Sequence, residues 1–351
     1  MNRFGVNGSA AGAEELSAAL LAMEDRVTVN ATAGYAAAVD LERRAEALGD
    51  QTLLMRARLL WTDMLRRTGD LPGAARHIKG IHAWARKHGD RQLQARTHLV
   101  QTDIERLSGN GAKALQHAQS AVELLDETAT VHMRVWHRLR LADVLAANGD
   151  MDAARLRYRQ TEELAWELHQ WERLTIVLNN WAYGEYQAGD FPRAWEVAQR
   201  MQEHAVARGY HLEPSALETI GAIQIANGQY IQAEQTMQVC IARYKGSGPN
   251  EADEMAEYLL TLARAQRGLG ATDRALANLT AAQTLCTERG LRKILSRVQQ
   301  ERAELHAAQG EHTEASVPEE SLSFPQRKPV RFVLRSLLRT HRARQGGRAA
   351  R

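Results

Sequence analysis

At 351 residues and 44% hydrophobic, the chain can bury a large core, as one extended array or about two domains. Seven prolines against plentiful Ala, Leu, Gln, Glu and Arg favour helix and argue against a strand-rich fold. The net charge of +3 conceals an asymmetry: no acidic residue follows Glu320, where nine are basic, so the first 320 residues hold 36 basic against 42 acidic side chains.

The opening stretch has only a short apolar run with Glu14 and Glu15 just ahead of it, which is not the pattern of a secretory signal. No run approaches the roughly 18 apolar residues that a membrane span needs. Two cysteines, Cys240 and Cys286, make no disulfide scaffold, and a reducing cytoplasmic location is expected. Residues 1–12 are expected to be flexible, and 13–50 to form a degenerate capping hairpin.

From residue 51 to 315 one period governs the chain. Gly69, Gly109, Gly149, Gly189, Gly228, Gly270 and Gly310 are spaced by 40, 40, 40, 39, 42 and 40 residues. Five residues after each stands alanine (Ala74, Ala114, Ala154, Ala194, Ala233, Ala275, Ala315). Seven before each stands a small residue (Thr62, Thr102, Ala142, Ala182, Gly221, Ala263, Ala303). A glycine ending a helix supplies the left-handed residue cheaply, and the following Asp70, Asn110, Asp150 and Asp190 can cap the next helix. Gly49, Gly89, Gly209 and Gly290 punctuate the chain midway between these turns. Each repeat is therefore a helical hairpin that buries its apolar face against its neighbours. The predicted fold is all-α, a right-handed solenoid of about eight hairpins.

The spacing of a small residue, Gly-Asp and Ala, clearest in Leu178, Trp181, Ala182, Gly189, Asp190 and Ala194, resembles the tetratricopeptide family. The period of about 40 departs from that family's 34, which implies longer helices. The stretches "RRTGDLPGAARHI", "HAQSAVELLDETA", "VLNNWAYGEYQAGDFPRAWEVAQRM", "LLTLARAQRGLG" and "RAELHAAQG" are similar to the array that precedes a GGDEF domain in bacterial diguanylate cyclases. That resemblance implies a non-catalytic sensory or scaffolding module in bacterial signalling. No GGDEF loop is present, and "QGGR" at 345–348 is not one, so no cyclase residue carries over.

No motif of metal-dependent, serine-nucleophile or phosphate-loop chemistry occurs, and no catalytic residue, metal or cofactor is assigned. His77 with His82, and His132 with His137, are five apart and do not share a helix face; packing or surface roles are expected. Cys240, whose repeat counterparts are Ala121, Thr161, Met201 and Ala282, is expected to be a buried small residue.

In the family resembled, the first helices line the concave surface. Six residues before the turn glycines the chain reads Asp63, Asp103, Asp143, Tyr183, Ala222, Arg264, Glu304. Arg66 and Arg106 follow their aspartates by three, which suits ion pairs on an exposed helix face as well as it suits a ligand. With Arg140 and the amides and tyrosines of the middle repeat (Asn179, Asn180, Tyr183, Tyr186), these residues form a candidate groove for a protein or peptide.

Residues 316–351 are expected to be a disordered basic tail. Pro318, Pro325 and Pro329 break the repeat, and a short helix from Val330 would gather Arg331, Arg335, Arg339 and Arg342 on one side. Such a helix could meet nucleic acid or a membrane. It suggests an alternative reading: a regulator whose array binds a protein and whose tail contacts nucleic acid. A third reading makes the tail the product of a shifted reading frame. Self-association through an open end repeat is also expected if the last hairpin is incomplete.

Overall fold

The structure, a computed structural model, describes residues 4–24, 31–246 and 252–308. Fifteen helices make up these residues, with no strand among them. The first hairpin joins α1 (Phe4–Glu24) to α2 (Ala31–Leu48). Then come α3 (Gln51–Arg67) with α4 (Leu71–Lys87), α5 (Arg91–Leu107) with α6 (Gly111–Glu123), and α7 (Val131–Ala147) with α8 (Met151–Glu167). Further along are α9 (Trp171–Ala188), α10 (Phe191–Arg208), α11 (Pro214–Ala226), α12 (Tyr230–Gly246), α13 (Ala252–Gly268), α14 (Thr272–Arg289) and α15 (Arg292–Ala308).

Within the run 1–12, expected to be flexible, the described residues are helical from Phe4. Its alanines and the absence of proline let α1 extend through the glycines toward Leu16 and Leu20, which are fully buried. The basic tail, including Arg331, Arg335, Arg339 and Arg342, lies outside the described residues, as do Gly310 and Ala315.

The chain divides into two units, one ending at Arg173 and the other beginning at Leu174. In the first unit each first helix packs on the second helix of its own hairpin, on that of the hairpin before, and on the next first helix: α5 meets α6, α4, α3 and α7. The second unit repeats the arrangement, with α13 touching α12, α14, α11 and α15. The first unit's core gathers Leu16, Leu20, Leu54, Ile78, Ile81 and Leu93. The second unit's centres on Leu260, Leu279, Cys286, Leu291 and Val298.

The repeat registers explain this packing. Ala74, Ala114, Ala154, Ala194, Ala233 and Ala275 are all fully buried, as are Thr62, Thr102, Ala142, Ala182 and Ala263. These small side chains sit where paired helices come closest. Gly221 shows how tight that approach is: a Cβ there would stand 2.7 Å from the Met237 sulfur. The turn glycines adopt the left-handed backbone, Gly69 at φ +92° and Gly149 at φ +88°. The residue after each glycine donates its N–H to the carbonyl five back, as Asp70 does to Leu65 at 2.9 Å and Asp150 to Leu145 at 3.0 Å. Asp70, Asp150 and Asp190 then cap the following helix by accepting from Gly73, Ala153 and Arg193. Asn110 makes no such cap; its amide donates to Glu105 instead. Asp50 and Asp90, directly after the midway glycines, are caps as well. At the counterpart of Gly89 and Gly209 stands His169, which takes the left-handed φ of +54° without being glycine.

Candidate ligand-binding face

The register six residues before each turn forms one connected ion-pair network along α3, α5 and α7. Arg66 Nη2 lies 2.7 Å from Asp63 Oδ1, and Arg67 Nε 2.7 Å from Asp63 Oδ2. Arg66 also reaches the next repeat, its Nη1 3.5 Å from Asp103 Oδ2. Asp103 accepts from Arg106 Nη2 at 3.1 Å and has Arg140 Nε at 3.3 Å. Arg140 Nη1 donates to Asp143 Oδ2 at 3.1 Å, and the Tyr158 hydroxyl of α8 donates to Asp143 Oδ1 at 2.9 Å. The i, i+3 pairs read from the sequence are present. They are not exposed surface links, since the side chains of Asp103, Arg106 and Asp143 are 6%, 7% and 0% accessible.

Burial changes what these charges are worth. Alone it would raise the Asp103 carboxyl, but Arg140, Arg66 and Arg106 together hold it well below the usual carboxylate range. Asp63 is likewise lowered, because Arg66 and Arg67 outweigh its desolvation. Burial would also depress the Arg66 guanidinium, and Asp63 and Asp103 raise it instead. Arg106 is the exception. Burial dominates there and lowers it, with Asp103 opposing and Arg140 adding repulsion. It gives one nitrogen to Asp103, while its Nε and Nη1 are shut from solvent with no acceptor among the described residues.

A second buried carboxylate ties the first hairpin to this face. Glu24 of α1 pairs with Arg56 of α3 at 2.9 Å and with Arg96 of α5. The second unit uses the same device with other residues. Arg264, expected in the groove, donates from Nε to the buried Glu301 at 2.7 Å, and Arg267 to the same carboxylate at 2.6 Å. Thr261 donates to the buried Glu218 at 3.0 Å, and Arg297 grips the buried Glu257 at 2.6 Å. Successive first helices are thus joined by buried polar links within each unit.

The middle repeat departs from the aspartate pattern. Tyr183 is buried, its ring 6.3 Å from that of half-buried Tyr186, which lies 5.8 Å from Phe191. Asn179 and Asn180 are half-buried, and Asn179 Oδ1 is enclosed with no hydrogen-bond partner among the described residues. Trp181 donates to the buried Glu185 at 2.9 Å while the Arg200 guanidinium sits 5.4 Å over its ring.

One histidine cluster escaped the sequence reading. His98 of α5 has its Nδ1 2.9 Å from Nδ1 of His117 on α6, and its ring 4.7 Å from that of His82 on α4. The relevant spacing was eleven before and eight after a turn glycine, across helices, rather than four apart within one. Burial, with His82 and His117 adding to it, brings His98 down to about 4. Among the described residues no group of His, Cys, Asp or Glu is arranged to hold a metal ion. No described helix is long and apolar enough to cross a membrane. Cys240 is fully buried, as are Ala121, Thr161, Met201 and Ala282 at the same register.

The hairpin-on-hairpin stacking has counterparts among solved structures. The APC/C hetero-tetramer Cut9-Hcn1 superposes with a TM-score of 0.52 at 16% identity, over 77% of this chain and 49% of that one. The fold is tetratricopeptide-like. A signal transduction ATPase with numerous domains and a tetratricopeptide repeat sensor, from Pyrococcus horikoshii, gives 0.53 at 17% identity, over 75% and 42%. This chain therefore spans less than half the length of either relative. No family model matches it, and no curated protein does.

Proposed function

We propose that this tetratricopeptide-like array is a non-catalytic scaffold whose first-helix face takes a protein or peptide segment. The observation that carries the reading is Arg106: a buried guanidinium with two nitrogens lacking acceptors, amid a network that otherwise pairs its charges. A buried donor without a partner costs about 1–3 kcal/mol; because both nitrogens are closed to solvent, a ligand carbonyl or carboxylate offsets that cost by displacing the side chains that cover them. In the second unit, taken by itself, the half-buried Tyr186, Asn179 and Asn180 offer rigid and hydrogen-bonding area of the kind that peptide surfaces use. The structural relatives include a partner-bound assembly and a sensor array, uses consistent with this one.

The test is selection of displayed peptides on the full chain. Enriched peptides should carry an acidic group or free C-terminus and should lose at least tenfold in affinity on Arg106→Gln, which leaves Asp103 paired to Arg66 and Arg140. Failure to enrich any peptide, or equal binding to the variant, counts against the reading.

The narrower sequence resemblance supports placing the scaffold in bacterial cytoplasmic signalling, as a module of the type attached to diguanylate cyclases. Reading the coding DNA onward in the shifted frame tests this: a GGDEF segment supports it, and its absence removes it. The nine basic residues beyond Glu320 favour the second reading, a regulator whose tail contacts nucleic acid. Removing residues 321–351 should then abolish salt-dependent DNA or RNA binding, and unchanged binding would dismiss it.

A further inference from the structure

The junction that holds the three histidines recurs in the three full repeats of the first unit, with different chemistry each time. Its core is the residue eleven before the turn glycine. In the first full repeat this is Arg58, whose guanidinium meets Glu42 at 2.9 Å and Glu46 at 3.0 Å on the preceding helix α2. In the next it is His98, in contact with His82 on α4 and His117 on α6. In the third it is Arg138, and the residue at the His117 register is Arg157. The counterpart of Glu42 is Val122. The counterpart of Glu46 is Asp126, which is carried out of reach because α6 ends at Glu123. In its loop Asp126 faces Arg91 at 3.8 Å and accepts from Thr128 at 2.9 and 2.6 Å.

Arg134 stands one turn before Arg138 on α7, and Arg157 holds on α8 the register at which His117 meets His98, so position on the hairpin brings the three to one junction. Arg138 Nη1 donates to the Arg134 carbonyl at 2.9 Å, and Arg157 Nη1 to Gln160 Oε1 at 3.1 Å. No carboxylate among the described residues forms an ion pair with any of the three. Arg134 and Arg138 are half-buried and Arg157 is exposed. Burial and the neighbouring charges of Arg134 and Arg157 pull the Arg138 guanidinium below its ordinary value, and no acidic side chain offsets them. Elsewhere in this unit the half-buried guanidiniums of Arg56, Arg58 and Arg66 have carboxylate partners.

We propose that Arg134, Arg138 and Arg157 form a phosphoryl-binding site on the α7–α8 hairpin. Three guanidiniums offer paired N–H donors and three positive charges that no carboxylate among the described residues pairs. A phosphoryl group answers with close to two negative charges and three terminal oxygens, where a carboxylate brings one charge and two. The site is separate from the Arg106 face and does not depend on the scaffold reading.

Melting and binding of the full chain provide the test. Inorganic phosphate should raise the melting temperature of the wild type more than sodium chloride of equal ionic strength. A neutral peptide bearing one phosphoserine should bind at least as well as phosphate if the source is a phosphorylated chain, and more weakly if it is free phosphate. In either case Arg157→Gln and Arg138→Gln should weaken binding by about tenfold or more. Arg58→Gln, at the equivalent register, should leave it unchanged. Arg138→Gln should also melt no lower than wild type without phosphate, since it removes a repulsive charge. The proposal is overturned if chloride matches phosphate, if a glutamate peptide binds as well as the phosphopeptide, or if Arg157→Gln, an exposed substitution, retains wild-type phosphate binding.

Discussion

Asp103 shows how depth decides the meaning of a charged residue. Its three guanidinium neighbours make the carboxylate indispensable, so Asp103→Asn should destabilise the chain by about 3–5 kcal/mol in urea unfolding. A loss below about 1 kcal/mol, the range of exposed pairs, would show the network to be solvated. The sequence displayed the ladder and its i, i+3 partners, since spacing reports which residues share a helix face. It could not display burial, which depends on how closely α3, α5 and α7 pack side by side. His98 carries a pH signature. Its value of about 4 in the folded chain lies below the ordinary 6.5, so the unfolded chain binds the proton more readily. Stability should therefore fall as pH drops from about 6.5 toward about 4, and His98→Gln should flatten that fall. An unchanged slope in the variant would show that other groups govern this window.

At the scale of the element, turn chemistry was the most legible part of the sequence. The glycine registers marked the turns, and three of the four proposed caps form. Asn110 does not, because Glu105 draws its amide away. Asp90→Ala should cost about 1 kcal/mol by removing the cap on Leu93, while Asn110→Ala should cost much less. Equal losses in thermal unfolding would mean that capping is not what distinguishes them. His169 holds the left-handed backbone that Gly89 and Gly209 hold in their repeats. His169→Gly should accordingly stabilise the chain by up to about 1 kcal/mol by relieving strain, less the greater freedom of glycine when unfolded. The histidine junction was hidden for a different reason. Its members lie on three helices, and only alignment of repeats on the turn glycine shows that they meet. The same alignment exposes the cationic junction of α7 and α8.

Across the whole molecule, repeats that contact only their neighbours make stability local. Asp103→Asn should therefore speed amide exchange in α3, α5 and α7 far more than in α11 to α15. Equal acceleration throughout would contradict a nearest-neighbour array. Buried polar links between successive first helices recur in both units, although the residues differ: Asp103 with arginines in one, Glu301 with Arg264 and Arg267 in the other. The period was readable because small residues and glycines are required at close approaches. The linking residues keep the period over Asp63, Asp103 and Asp143 and lose it in the second unit, because any matched pair joins two helices. What separates a scaffold that binds from a solenoid that merely packs is whether the unmatched donors of Arg106 receive an acceptor from outside. The decisive measurement compares the affinity of a selected peptide for wild type and Arg106→Gln by calorimetry, with both melting curves recorded. A complex at least tenfold weaker, at a melting temperature within a few degrees of wild type, is expected; equal affinity at equal stability would contradict binding at Arg106.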